Sequence, residues 1–220
     1  MSDEIVGFSI DSDEHVGGGG FLAIRRLRMR NRRADGSLSA GYVCDSIARP
    51  YGQDAVVACV FARASAGIRV LVREGLRPAV TLCRDPARAP LPEAAPGMFF
   101  TELVAGILEV GDHGEAGLRT RTAHEVHEEA GFVIDPERVM LLGAGTFPSP
   151  GSMIEKFYFT AIEVDPASQE PLVGDGSPME EGATTRWLDL DEAIAQCVRG
   201  DICDLKTEAG MRRLRDALAP

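Results

Sequence analysis

Nowhere in this chain does an apolar run approach the roughly 18 to 20 residues that a membrane span needs, so no span is predicted. The N-terminus lacks a basic start with an apolar stretch behind it. "MSDEIVGFSIDSDEHV" is acidic instead, does not read as a secretory signal, and leaves a cytoplasmic location as the expectation. Cysteine is scarce: Cys44, Cys59, Cys83, Cys197 and Cys203 are odd in number and scattered. That suits reduced core thiols better than a disulfide framework or a zinc knuckle. Positive charge is in deficit, 23 Lys and Arg against 34 Asp and Glu, for a formal net charge of -11. Such a surface repels polyanions and argues against non-specific nucleic-acid binding. No internal repeat is present.

What is there is an ordinary globular composition, 45% hydrophobic and 26% charged, in a chain of 220 residues. That length supports one good core, or one main domain with a smaller appendage. One stretch runs against the acidic balance. In "LAIRRLRMRNRRADGSLSAGYVCDSIARP", Arg26, Arg28, Arg30 and Arg32 alternate with Leu27 and Met29, the period-2 pattern of a strand with one basic face, and "ADGS" reads as a hairpin turn. The face is either solvated or a basic edge that meets substrate phosphate or an acidic partner subunit. A glycine run at 17 to 20 marks a flexible lead-in to this hairpin. An arm and hairpin unit over residues 1–50 is therefore expected ahead of a body over residues 51–220.

In the body, "DAVVACVFARA" and "IRVLVREGLRPAV" are rich in β-branched residues and read as paired strands. "DPARAPLPEAAPG" is too proline-rich for regular structure and reads as a surface loop. A strand-like "FFTELVAGILEV", a helix around 116 to 130, and strands at "VMLLGAGTF" and "EKFYFTAIEV" follow. After a glycine- and acid-rich loop at 174 to 182, the chain closes with the strand "TRWLDL" and the helices "DEAIAQCVRG" and "TEAGMRRLRDALA". Strands interleaved with helices predict an α/β fold in which helices cover a mixed sheet.

The chemistry concentrates in "HEVHEEAG", residues 124 to 131. On a helix, Glu125, Glu128 and Glu129 stand at i, i+3 and i+4 and share one stripe. Ala123, Val126 and Ala130 form the inward-packing stripe beside it, and Gly131 ends the helix. Like charges at this spacing destabilise an isolated helix by roughly 0.2 to 0.5 kcal/mol per pair, so the cluster calls for solvation or a counter-cation. Zinc through the histidines is the weaker option, because His124 and His127 are three apart where the HExxH helix places them four apart. Clustered carboxylates are hard oxygen ligands and suit magnesium or manganese.

A strand, a glycine turn, this helix and a terminal glycine followed by an apolar residue together resemble the Nudix hydrolase box. In that family the pattern is G, five residues, E, seven residues, then R-E-U-x-E-E-x-G-U, with U a bulky apolar residue. Gly106 matches the first glycine, and "HEVHEEAGF" matches the second half except at the arginine, where His124 stands. The spacing from Gly106 to His124 is four residues longer than the pattern, so either Asp112 or Glu115 takes the place of the lone upstream glutamate. "SPGSMIE" resembles the S-P-G-x-x-x-E segment of the branch that acts on ADP-ribose and other nucleoside-diphosphate sugars, through Ser149, Pro150, Gly151 and Glu155. "RVLVREGLRPAV" resembles the strand before the box in that branch, with Arg73 and Arg77 as substrate contacts.

The resemblance implies a Nudix-type α/β/α sandwich, magnesium-dependent hydrolysis of a nucleoside-diphosphate sugar, and a homodimer in which the N-terminal hairpin reaches the partner. It implies Glu125 and Glu129 as principal metal ligands, with Glu128 in support and the Ala105 carbonyl as a backbone ligand. A general base, or a further ligand, comes from the acidic loop through Glu180 or Glu181. Glu181 is the preferred choice because it stands closer to the following strand. The family's arginine fixes a catalytic glutamate with a permanently charged fork. His124 is shorter and only partly charged near neutral pH, so its expected role is a partial substitute that orients Glu125 or Glu128. The alternative is a binding module that senses a nucleotide sugar without turning it over, for which the altered and lengthened box speaks. The intact glutamate cluster speaks against it.

Overall fold

The structure, a computed structural model, describes residues 5–17, 21–49, 52–65, 67–174 and 176–219. Gly18, Gly19 and Gly20 of the expected lead-in, and Pro50 at the expected boundary, lie outside the described residues. Two compact units are present: residues 1–53 with 147–156, and residues 54–146 with 157–220.

The first unit is a three-stranded antiparallel sheet of β1 (Ile5–Val16), β2 (Ala23–Arg33) and β3 (Tyr42–Ala48) in that order. The β2–β3 hairpin is the one expected, with Asp35 Oδ1 accepting the Ser37 N–H at 2.9 Å in its turn. Strand β1 has no apolar alternation to announce it, and its register explains its composition. Asp13, Glu14 and Asp11 lie along the arginine-rich β2, where Asp13 pairs with Arg25 at 2.5 Å and Asp11 with Arg30 at 3.1 Å. From the other side Asp45 of β3 holds Arg26 at 2.7 Å. Two of the four arginines of the basic face predicted for β2, Arg26 and Arg30, are therefore paired with aspartates inside its own sheet, as is the neighbouring Arg25.

The second unit is built on β4 (Ala55–Ala64), whose first eight residues are all buried. It pairs along one edge with β9 (Phe157–Glu163) in parallel, and β9 carries the short β8 (Met140–Leu141). Along its other edge the sheet forks. The end of β4 pairs with β5 (Gly67–Leu76) at residues 61–64, while its start, 55–58, pairs with β7 (Val104–Ile107). Strand β6 (Phe99–Glu102), immediately before β7, pairs with the far half of β5, and β10 (Thr184–Asp189) closes the other side of β5. The segment 99–107 thus switches partners inside the fork.

Alternation along β4 explains the layers. Ala58 and Val60 face α2 (Gly114–Ala130) and pack with Val126, Ala130 and Phe132. Val57, Cys59 and Phe61 face α3 (Leu190–Arg199) and α4 (Leu205–Leu218), among Ile194, Met211 and Leu214. A strand apolar on both faces is what a sheet covered on both sides requires, and each buried Val or Phe contributes about 1.5 to 3 kcal/mol. The α/β/α sandwich with a mixed sheet expected from the sequence is the fold found. Among the described residues no helix is long and apolar enough to cross a membrane.

Three local readings need correction, the first being the strand read at "VMLLGAGTF", of which only β8 (Met140–Leu141) and an isolated bridge from Thr146 to Phe157 form. "RPAV" does not extend β5. Pro78 has no N–H to continue a ladder and instead opens a short helix, α1 (Pro78–Cys83), tied down by Thr81 donating to the Gly97 carbonyl at 2.8 Å. The cysteines are free but not all in the core: only Cys59 is buried, while Cys44, Cys83 and Cys203 are exposed. Apolar neighbours in sequence do not bury a residue on the outward side of a strand or at a helix end.

Candidate active site

Helix α2 presents Thr122, Val126, Glu129 and Ala130 inward, so the last glutamate of the acidic cluster lies on the buried stripe rather than the solvated one. Gly131, at φ 73°, closes the helix, and an added Cβ there would lie 2.1 Å from the Glu170 carbonyl oxygen. The close approach is used. The Glu170 N–H donates to the Gly131 carbonyl at 2.7 Å, and the Gly174 N–H donates to the Glu128 carbonyl at 3.1 Å, fastening the loop 169–183 to the helix end.

Glu129 points into the fork. One oxygen accepts the Ala105 N–H of β7 at 3.1 Å, and the other is paired with Arg73 of β5. Arg73 is 5% exposed and also reaches Glu180 of the loop at 3.4 Å, bridging helix and loop. Its Nε is a buried nitrogen without a hydrogen-bond partner among the described residues. Glu125 lies over Gly106: a Cβ added to that glycine would fall 2.0 Å from the Glu125 Oε1. Any other residue at 106 would expel the carboxylate from this place. Glu128 is paired with His124 at 3.1 Å. Burial pushes the Glu125 carboxyl up to about 7, reinforced by the negative charges of Glu128 and Glu180 and opposed by Arg121. Burial likewise pushes Glu129 up to about 7, opposed by Arg73 and the Ala105 N–H.

A cleft of about 360 Å³ opens here, lined among others by Arg73, Glu128, Glu129, Glu180 and Glu181. The residues read from the sequence fall into three groups. Ala105, Glu125, Glu128, Glu129, Glu180 and Arg73 converge on one end of α2. Glu181 lines the same cleft but is exposed, whereas Glu180 is half-buried and acts electrostatically on both Glu125 and Glu129. Arg77, expected to touch substrate, is turned to Glu102, to which its Nε and Nη2 both donate, and Lys206 of α4 holds the same carboxylate at 3.1 Å. Ser149, Pro150, Gly151 and Glu155 belong to the first unit. There the Ser152 and Met153 N–H groups donate to the Ser149 carbonyl at 3.0 and 2.8 Å, and Glu155 is paired with Arg49.

For a divalent cation, the donor set fits. Ligand atoms of His124, Glu125 and Glu128 lie within 4.8 Å of one another, and two of the three offer hard carboxylate oxygens. Glu129 is the exception, since both of its oxygens are engaged. Sequence reasoning missed Arg121, whose only signal was its position four residues before Glu125. Of the two candidates for the upstream acid, Asp112 accepts from Arg121 at 2.8 Å, while Glu115 is exposed and pairs with Arg119 at 3.7 Å.

No protein-family model matches the chain, and no curated protein matches it either. Among solved structures, the crystal structure of an ADP compounds hydrolase superposes with a TM-score of 0.67 over 99% of this chain and 97% of that one, at 10% sequence identity. The likeness is one of fold. It runs along nearly the whole of both chains.

Proposed function

We propose that this chain is a Nudix-type hydrolase that cleaves the diphosphate bond of ADP-ribose or a related nucleoside-diphosphate sugar, giving a nucleoside monophosphate and a sugar phosphate. The observation that carries the reading is the cleft in which buried Arg73 ties Glu129 to Glu180 beside Glu128, with Gly106 bared to admit the neighbouring Glu125 carboxylate. A structural helix has no use for such a cluster. Burial pushes the Glu125 and Glu129 carboxyls up to about 7, the kind of perturbation that clusters at functional sites.

Glu125 and Glu128, with the Ala105 carbonyl, would hold magnesium or manganese, which would supply charge neutralisation on the diphosphate and activation of water, while Glu129 stays engaged with Arg73 and the Ala105 N–H. The chain's own groups do the rest. Glu180 stands on a loop fastened to the helix and takes the proton of the attacking water, a role that the more exposed Glu181 is less well held to fill. Arg73 keeps Glu129 and Glu180 apart in charge and together in space. Arg77 serves the scaffold through Glu102. His124 steadies Glu128.

Incubation with ADP-ribose and magnesium, followed by chromatography, is expected to yield AMP and ribose phosphate. A panel of nucleoside-diphosphate sugars that all survive intact with either metal would overturn the reading. One observation favours the alternative of a binding module, namely that both Glu129 oxygens are already taken by Arg73 and the Ala105 N–H. Calorimetric binding of ADP-ribose without turnover would select it. The homodimer, proposed from the resemblance alone, is tested by sedimentation of the full chain.

A further inference from the structure

The stretch between Gly106 and His124 carries four residues more than the Nudix pattern, and the added length is folded. Residues 109–113 double back on themselves: the Glu109 N–H donates to Asp112 Oδ2 at 2.8 Å and the Asp112 N–H donates to the Glu109 carbonyl at 3.0 Å. Helix α2 then starts beneath this loop and passes so near it that a Cβ added at Gly117 would meet the Asp112 backbone carbon at 2.5 Å. The tight crossing sets the Asp112 carboxylate beside Arg121. Asp112 Oδ2 accepts from Arg121 Nε at 2.8 Å, and Glu109 pairs with Arg121 Nη2 at 2.9 Å. With two nitrogens held by the loop, the third, Nη1, faces Glu125 Oε1 at 3.7 Å. The Arg121 side chain is 13% exposed. His124 is 56% exposed, and its ion-pair partner is Glu128, not Glu125.

Resting on the hydrolase reading above, we propose that Arg121, clamped by Asp112 and Glu109, is the positioning residue that holds the Glu125 carboxylate against Gly106. The altered box is thereby repaired from one turn earlier. The histidine at 124 leaves Glu125 without a charged fork at its own position, and the lengthened loop builds one from Arg121. Arginine suits the task because a planar guanidinium can satisfy three carboxylates in fixed directions, which an ammonium cannot. The group touches no substrate and acts through Glu125.

The test combines a structural and a kinetic arm on the full chain. In metal-free crystal structures of Arg121→Ala and Asp112→Asn, the Glu125 carboxylate is expected to leave its place beside Gly106 while α2 keeps its course. With a nucleoside-diphosphate sugar that the wild type turns over, kcat is expected to fall about 10- to 100-fold, with KM changed little and part of the loss recovered in Arg121→Lys. A carboxylate that stays beside Gly106 in both variants, or a kcat unchanged in both, overturns the proposal. If Arg121→Ala does not fold, Asp112→Asn alone decides, since it preserves size and leaves the arginine in place. A wild type that hydrolyses nothing refutes the hydrolase reading, and the position of Glu125 in the variant structures still decides the role of Arg121.

Discussion

Two regions of this molecule are crowded with charge of one sign, and burial makes them different kinds of object. On β2 the arginines stand on an exposed sheet. Arg25, Arg26 and Arg30 are each met by an aspartate from a neighbouring strand, at 2.5, 2.7 and 3.1 Å. Water screens such pairs, and they add little to stability. On α2 the glutamates are drawn inward. Glu129 is 8% exposed, and its counter-charge, Arg73, is 5% exposed. Where water is excluded, removing one partner leaves the other stranded, so each member of the network depends on the rest. Equal charge density along the sequence therefore makes a solvated, screened surface in one unit and a buried, interdependent network in the other.

The largest difference between the regions is expected in catalysis. Glu180→Gln should lower kcat by about 10² to 10⁴, the usual range for a lost general base, whereas Glu181→Gln should lower it far less. The reverse order, measured by steady-state kinetics, would return the role to Glu181.

Stability should separate them next. Arg73→Ala strands the ionised form of Glu129 in a buried place and is expected to cost about 3 to 5 kcal/mol by denaturant unfolding at pH 8, where that carboxyl is charged. The loss should shrink at pH 6, where a carboxyl pushed up to about 7 takes up a proton. Arg26→Ala on the exposed sheet is expected to leave the unfolding midpoint within error of the wild type.

A pH profile of the metal-free protein sharpens the same contrast. Burial pushes the Glu125 and Glu129 carboxyls from the ordinary glutamate value of 4.5 up to about 7, so the native state binds more protons than the unfolded one between these limits. Their contribution is fully present below about pH 4.5 and is lost as pH rises through 7. Glu129→Gln should flatten this part of the melting-temperature profile in chelator, and a profile with unchanged slope would contradict the assigned burial.

The smallest effect concerns thiols. Cys44, Cys83 and Cys203 are exposed and should react readily with a thiol reagent. Cys197, pushed up to about 11 chiefly by burial, should react slowly, and fully buried Cys59 only on unfolding. Mass spectrometry after timed alkylation reads the order directly.

What could be read from the residues follows the range of the interactions. The acidic stripe, its terminating Gly131 and the buried strand β4 were legible because helix and strand periods are local. So was Gly106, through its place in a known pattern, although the reason for it, the Glu125 carboxylate lying against its Cα, is a tertiary fact. The Arg73–Glu129 pair spans 56 positions and the Arg77–Glu102 pair 25, and nothing local distinguishes these arginines from surface ones. Strand β1 escaped because its inward signal is charge complementary to β2 rather than apolar alternation. The segment 147–156 could be recognised by its motif, but its membership in the first unit, through contacts such as the Ile47 N–H on the Ser152 carbonyl at 2.8 Å, has no local signature. Arg121 was legible in principle, since four residues separate it from Glu125 on the same helix.

The central claim is that the buried glutamates of α2 are catalytic and not structural. It is tested most directly by magnesium-dependent release of AMP from ADP-ribose, or of the nucleoside monophosphate from the preferred nucleotide sugar, by wild type and Glu125→Gln side by side. The expected result is turnover by the wild type that chelator abolishes and magnesium restores, with a loss of orders of magnitude in a Glu125→Gln variant that unfolds no earlier than the wild type. Undiminished turnover by the folded variant would contradict the claim.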